Sequence, residues 1–276
     1  MQVLTTIQEL KDFKKSLIHQ DTLGLVPTMG ALHKGHQSLM QKSIQQNTHT
    51  IVSIFVNPTQ FGPTEDFNKY PRTLEKDCEI CQKLGVSAVF APQITEMYQK
   101  EDEITLNPPK SMGYVFEGFV RENHFNGVLQ VVLKLFNLIQ PHFAYFGQKD
   151  AQQLLILKRL VQDMFLPLTI IPCETIRDAD GLALSSRNIY LSEEERTIAL
   201  EIPKALQKME TLFKQGCNSS KELIAQAKTC ISHVELDYFT ITDYNLHITS
   251  TPKHNEAIAL IAGKVGKTRL LDNLWF

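Results

Sequence analysis

Four short segments of this 276-residue chain combine residue types that handle phosphates and small polar ligands. The first reads Pro27-Thr28-Met29-Gly30-Ala31-Leu32-His33-Lys34-Gly35-His36. Its two glycines fall where a strand pattern gives way to a helix pattern, so backbone N–H groups can approach a phosphate closely. His33 and His36 are three residues apart at that junction and can face one site. An imidazole donates a hydrogen bond to a phosphate oxygen, and protonation adds charge. Two better-known phosphate motifs do not fit. Gly30 and Gly35 have P-loop spacing, but His36-Gln37 stands where Lys-Ser/Thr is required, and the segment is not Gly-x-Gly-x-x-Gly. The bland alternative is a helix cap with two surface histidines.

The second segment is Asn57-Pro58-Thr59-Gln60-Phe61-Gly62. Amide side chains suit the hydroxyls and carboxylate of a small polar substrate; Asn, Pro and Gly also make an ordinary turn. In the third, Gly147-Gln148-Lys149-Asp150 is followed by Gln152 and Gln153. A cation at a helix start opposes the macrodipole unless an anion is held there. Gln153 lies one turn beyond Lys149, and an exposed lysine is the competing reading. The fourth is Asp180-Gly181-Leu182-Ala183-Leu184-Ser185-Ser186-Arg187-Asn188, whose hydroxyls and guanidinium suit phosphate oxygens. Cys78 and Cys81 have no second pair to complete a zinc site and fall on an apolar stripe with Leu74, which predicts core packing. Gly266-Lys267-Thr268 lacks the first P-loop glycine, since Ile261 occupies that position. His124 is expected in a long loop, as a site residue or a cap.

The elements that must position these segments follow from periodicity. Helix patterns cover 6–19, 35–46, 73–84, 127–139 and 150–164; strand patterns cover 22–27, 50–56, 86–90, 142–146 and 168–172. Regular alternation predicts an α/β fold, a Rossmann-like parallel sheet with helices on both faces. In such sheets ligands sit at the carboxyl ends of strands, where strand order reverses. After about residue 175 the alternation stops. Ser192 with Glu195 fits a capping box opening a helix, 221–230 reads as a second helix, and 236–242, 257–262 and 268–271 read as strands. The expectation is a small α+β C-terminal domain, with domains 1–174 and 175–276.

Length allows one large domain or two smaller ones at roughly 150 residues each. Lys+Arg 28 against Asp+Glu 30 gives −2, without the basic excess expected of a nucleic-acid binder. Hydrophobic residues at 43% and charged residues at 21% exclude global disorder. The segment 128–139 is the strongest apolar candidate, and Gln130, Lys134 and Asn137 interrupt it, so no membrane span is expected. The start lacks a signal-peptide pattern and five Cys is an odd number, so a reduced, cytoplasmic protein is expected.

Taken together, the segments resemble a known family. Met29 to His36 is similar to the His-x-Gly-His signature of nucleotidylyl transferases, relatives of class I aminoacyl-tRNA synthetases. With Asn57 to Phe61, Tyr70-Pro71-Arg72-Thr73, Gly147 to Asp150 with Gln153, Asp180 to Asn188 and the terminal Thr268-Arg269-Leu270-Leu271-Asp272-Asn273, the chain resembles the pantoate–β-alanine ligase family. That resemblance implies a Rossmann-like domain, a small C-terminal lid domain and a homodimer. It implies condensation of (R)-pantoate with β-alanine, using ATP and Mg²⁺, through an enzyme-bound pantoyl adenylate. It also implies residue roles. Met29, Gly30, Ala31, Leu32, His33, Lys34, Gly35 and His36 bind ATP, with His36 as proton donor to the phosphates. His33 and Lys149 stabilise the pentacovalent phosphorus and departing pyrophosphate. Gly147, Gln148 and Asp150 lie near the nucleotide, with Asp150 on the ribose, and Ile176 offers backbone to adenine. Leu184, Ser185, Ser186 and Arg187 close over the phosphates. Gln60 and Gln153 hold pantoate with Asn57 beside them, and Gln60 also meets β-alanine. Protein ligands for the metal are not implied.

One departure stands out. The family usually reads Arg-Pro-Gly-His-Phe where this chain has Arg121-Glu122-Asn123-His124-Phe125, which puts the placement of Arg121 in question. Other readings are a sibling transferase that forms a nucleotide-containing product, and an ATP-binding sensor without turnover. A tRNA synthetase is disfavoured by the missing anticodon domain and the −2 charge.

Overall fold

The computed structural model describes residues 1–63, 65, 67–99 and 102–276. Its elements are β1 (Gln2–Leu4), α1 (Ile7–Lys15), β2 (Leu23–Thr28), α2 (Lys34–Gln46), β3 (His49–Ile54), α3 (Leu74–Leu84) and β4 (Ala88–Phe90). The short helices α4 (Ile94–Met97), α5 (Lys110–Gly113) and α6 (Glu117–Val120) precede α7 (His124–Ile139), β5 (Phe143–Gly147), α8 (Ala151–Asp163) and β6 (Thr169–Cys173). Then come α9 (Glu193–Ala199), α10 (Glu201–Lys214), α11 (Ser220–Lys228), β7 (Glu235–Asp243), β8 (Ala257–Val265) and β9 (Thr268–Trp275). The chain forms two compact units. One is Met1–Gly147 with Ile156–Cys173; the other is Gln148–Leu155 with Glu174–Phe276. The segment that carries Lys149 and Gln153 therefore groups with the C-terminal residues.

The first unit is a parallel six-stranded sheet in the order β1-β4-β3-β2-β5-β6. Val26, Val52, Val89 and Tyr145 form one core cluster with Met40 of α2 and Cys81 of α3. Their strand neighbours Leu25, Ile51, Ala88 and Ala144 have no exposure either. Alternation puts those four on the opposite face, so both faces of the sheet are covered. β2 lies between β3 and β5, so the strand order reverses there. The carboxyl end of β2, where the histidine segment begins, is thus at the switch point of the sheet.

The second unit holds the antiparallel sheet β7-β8-β9. Ile241 and Ile261 of that sheet pack with Ile202, Leu206 and Met209 of α10 and with Leu223 and Ala227 of α11. The Ser192–Glu195 capping box is present at the start of α9. Sequence periodicity did not resolve α10. Pro203 argues against a continuous helix, because its ring would clash with the carbonyl four residues back, that of Ala199. The chain breaks there: α9 ends at Ala199 and Pro203 sits in the first turn of α10, where proline is tolerated. Two further differences are local. α1 stops at Lys15 with Ser16 as its cap, leaving Ile18 exposed. His124, expected in a loop, is the first residue of α7.

Candidate active site

The histidine segment begins as β2 ends. Gly30 has φ +82°, a conformation that favours glycine, and a Cβ there would stand 3.0 Å from Asp77 Oδ2. Ala31 follows at φ 51°, uncommon for a residue with a side chain. Asp77 of α3 fixes this turn. Its buried carboxylate accepts the N–H of Ala31 at 3.0 Å and of Leu32 at 2.8 Å, and the Thr73 hydroxyl at 3.2 Å. Thr28 Oγ1 accepts the Gly30 N–H at 3.1 Å while donating to the Ser53 carbonyl.

His33 is the N-cap of α2 and His36 its third residue. The Gly35 N–H donates to His33 Nδ1 at 3.1 Å, and the His33 N–H donates to His36 Nδ1 at 3.3 Å. Both Nδ1 atoms are therefore acceptors, which places the proton of each neutral ring on Nε2. The rings lie 4.0 Å apart, centroid to centroid. The arrangement gives two N–H donors beside a helix N-terminus, where backbone dipoles favour an anion.

Gln60 and Asn57 are buried together beside this segment. Gln60 Nε2 donates to Met29 Sδ at 3.0 Å, and its Oε1 accepts from Asn57 Nδ2 at 3.2 Å. Asn57, expected to touch substrate, has its amide engaged within the protein. Nδ2 also donates to the Gly127 carbonyl at 3.1 Å, and Oδ1 accepts from Tyr98 OH at 2.7 Å and Thr59 Oγ1 at 3.0 Å. Gln60 has a different position: a thioether is a weak acceptor, easily exchanged for a carboxylate oxygen.

A third layer holds Gln60 by its backbone. His124 Nδ1–H donates to the Gln60 carbonyl at 2.8 Å, and Nε2 accepts from Arg121 at 3.0 Å. Burial, then the Arg121 charge, push the His124 imidazole down to about 4, so the neutral ring persists. Arg121 reaches Glu65 through two bonds, at 2.6 and 2.9 Å. Burial acts to raise the Glu65 carboxyl, but these bonds and the guanidinium charge bring it below the usual range. The Glu122-Asn123 departure leaves this arrangement intact. Asn123 takes φ 59°, ψ 3°, the left-handed conformation, and Asn adopts it more readily than other residues with side chains.

In the second unit, Gln148, Lys149 and Asp150 form a single 3-10 turn ahead of α8, and Gln153 lies within its first turn. Lys149 Nζ lies 3.6 Å from Asp150 Oδ1. Asn273 of β9 donates to the carbonyls of Gln148 at 2.9 Å and Lys149 at 2.7 Å. Ile176 and Leu184 face each other across a narrow hairpin, closed by the Leu184 N–H on the Ile176 carbonyl at 3.0 Å. Ser185 then caps a 3-10 turn, Ser186–Tyr190, by accepting the Arg187 N–H. Asp77, Gly127, Asp272 and Asn273 were not singled out as functional from sequence. Only the last two left a trace, as the end of the terminal Thr268-to-Asn273 motif. The two remaining candidates are structural. Cys81 is fully buried in the core, and that burial pushes its thiol up to about 12, while Gly266-Lys267 turns β8 into β9. Among the described residues no three His, Cys, Asp or Glu side chains cluster as a metal site. No helix among them is long and apolar enough to cross a membrane.

Comparison with known proteins gives a consistent result. The profile of the Pantoate-beta-alanine ligase family matches residues 2–275. A protein named pantothenate synthetase from Helicobacter pylori is 51% identical over 277 residues, covering all of both chains. The crystal structure of pantothenate synthetase from Thermus thermophilus superposes with TM-score 0.92 at 39% identity, covering 99% of each chain. A pantoate-beta-alanine ligase from Francisella tularensis, solved in complex with beta-gamma ATP and beta-alanine, gives TM-score 0.82 at 35% identity. It covers 100% of this chain and 97% of its own.

Proposed function

This chain belongs to the pantoate–β-alanine ligase family, and on that premise we propose the route by which it joins (R)-pantoate to β-alanine with ATP. A pantoate carboxylate oxygen attacks the α-phosphorus, the bond to the β-phosphate oxygen breaks, and pyrophosphate leaves. The β-alanine amine then attacks the acyl carbon of the adenylate, AMP departs with the bonding electrons, and the amine loses a proton. Both steps depend on positioning and charge stabilisation, and neither needs a nucleophilic side chain.

The carrying observation is the paired-histidine cap. Backbone N–H groups occupy both Nδ1 atoms, so His33 and His36 present Nε2–H donors where α2 starts. In this reading the segment Met29, Gly30, Ala31, Leu32, His33, Lys34, Gly35 and His36 binds ATP, and His36 is the proton donor to the phosphates in the sense that its Nε2–H hydrogen-bonds a phosphate oxygen. His33 and Lys149 stabilise charge on the pentacovalent phosphorus and on pyrophosphate. Gly147 and Gln148 border the nucleotide, Asp150 takes the ribose, and the backbone of Ile176 takes adenine. Leu184, Ser185, Ser186 and Arg187 meet the phosphates. Gln60 and Gln153 hold pantoate, and Gln60 also orients β-alanine. Asn57 is reassigned: its engaged amide supports Gln60 and does not itself bind pantoate.

Mg²⁺ is proposed to arrive with the ATP phosphates, since the described residues offer no carboxylate cage for it. The homodimer, the cytoplasmic setting and the functional division at residues 174/175 belong to the same proposal. Equilibrium sedimentation tests the dimer. The reaction is tested by pantoate-dependent exchange of labelled pyrophosphate into ATP without β-alanine. Exchange is expected; its absence from folded protein supplied with Mg²⁺ would sink the adenylate route.

A further inference from the structure

Lys149 pairs through Nζ with Asp150 Oδ1 at 3.6 Å, and where its side chain starts is set by the turn it stands on. That turn is held in an unusual way. One nitrogen, Asn273 Nδ2, donates to two successive carbonyls, Gln148 O at 2.9 Å and Lys149 O at 2.7 Å. The two protons of a primary amide on a short stem suit this double contact. The opposite amide orientation would set an oxygen against both carbonyls, so the bonds fix which way the side chain points.

Asn273 is itself fixed by its neighbour. Its N–H donates to Asp272 Oδ1 at 2.8 Å. Asp272 is 4% exposed and takes a two-bond ion pair from Arg177, at 2.6 and 3.0 Å. Arg177 opens the hairpin that leads to Ser185. It pairs with Ala183 in a β-bridge and donates to the Gly181 carbonyl at 3.2 Å. Two adjacent residues of β9 thus tie together the turn bearing Lys149 and the root of the Ser185–Arg187 segment. All of these residues lie in one compact unit.

Stability alone is a poor account of Asn273. Its Oδ1 is buried and has no hydrogen-bond partner among the described residues. Such an atom is costly, and its retention calls for a role for the rest of the amide.

We propose that Asp272 and Asn273 are positioning residues for adenylate formation, setting Lys149 in register with the Ser185–Arg187 segment. This rests on the reading above that both groups act on the ATP phosphates. Because pyrophosphate departs only in the first half-reaction, the pair matters there and not in amide formation.

Two variants separate this from a structural role: Asn273→Ala, and Asn273→Leu, which keeps volume without donors. Pantoate-dependent pyrophosphate exchange reports the first half-reaction. A single-turnover chase of preformed enzyme-bound pantoyl adenylate with β-alanine reports the second. The maximal exchange rate should fall about 10²-fold, the scale of an ångström-level misplacement. The chase rate should fall far less than the exchange rate, since the pyrophosphate that Lys149 serves has already left. Equal losses in both half-reactions, unfolding of both variants, or wild-type exchange in the variants would each overturn the proposal. A wild-type protein that shows no exchange would overturn the adenylate route, and this inference with it.

Discussion

Gly127→Ala tests how Gln60 is held. A Cβ on Gly127 would stand 2.3 Å from the Thr59 carbonyl oxygen, 2.4 Å from the Thr59 carbonyl carbon and 2.6 Å from the Gln60 nitrogen. Ordinary contact begins near 3.4 Å, so about 1 Å of separation must be found. All three atoms are backbone, so no side chain can swing aside. The turn is also tied to α7 by Asn57 on the Gly127 carbonyl and by His124 on the Gln60 carbonyl. Moving apart by about 1 Å takes both bonds beyond hydrogen-bonding range. Overpacking costs about 1–3 kcal/mol, and each lost bond adds about 0.5–1.5 kcal/mol. Denaturant unfolding should therefore show a loss of several kcal/mol. Where the protein remains folded, a Gln60 displaced by this amount should lower kcat/KM for pantoate by about 10²-fold. Steady-state kinetics with pantoate varied at saturating ATP reads this directly. Gly62→Ala is the control, because its nearest neighbour would be Glu65 Cγ at 3.7 Å, an ordinary contact. Wild-type kcat/KM for pantoate in Gly127→Ala, or an equal loss in the control, would refute the account of Gln60 placement.

Three further outcomes are expected. Lys149→Ala should lower the maximal exchange rate by about 10²–10³, the scale of one preorganised donor, and near-normal turnover would remove Lys149 from the mechanism. His124 titrates near 4 in the folded protein and near 6.5 without constraint. The unfolded chain therefore binds the extra proton in that window, and stability is lost as pH falls through it, by up to about 3 kcal/mol. Urea unfolding between pH 7 and 4.5 should show a smaller pH dependence in His124→Gln, and an identical slope would contradict the buried neutral ring. At the left-handed position, Asn123→Gly should keep activity and stability, whereas Asn123→Ala should lose about 1 kcal/mol; equal stability of the two variants would show that the backbone there relaxes.

The paired histidines and the alternating sheet were legible because their causes are local. A cap acts over two or three residues, and strand and helix periods repeat within ten. The apolar stripe carrying Cys81 was legible for the same reason, and the residue sits in the core. What stayed hidden depends on partners far along the chain. Asp77 holds Leu32 from 45 residues away, His124 holds Gln60 from 64, and Asn273 holds Lys149 from 124. No periodicity encodes such pairs; only folding brings them together. β1 escaped notice because it is three residues long with only Leu4 buried, and α10 because Pro203 looks like a breaker until its place in the first turn is seen.

These distant anchors share a chemical logic. Asp77, His124 and Asn273 all bond to backbone atoms, the N–H groups of Ala31 and Leu32 or the carbonyls of Gln60, Gln148 and Lys149. A backbone anchor fixes where a side chain starts; the Gln60 amide is held besides by Asn57 and by the weak acceptor Met29 Sδ. A fixed start suits charge moving from ATP to departing pyrophosphate: the donor must be close before reaction and must follow the charge during it. Fixing the tip would favour one state over the other, and fixing nothing would leave reorganisation to the reacting step. The same logic explains the tolerance of Glu122-Asn123. Arg121 is placed by its guanidinium bonds to Glu65 and His124, so neighbouring residues can change while their backbone path is kept. Loss of an anchor should therefore lower kcat without changing which group titrates. Replacing His36, proposed above as a donor, by Gln should lower the maximal exchange rate while leaving these anchors in place.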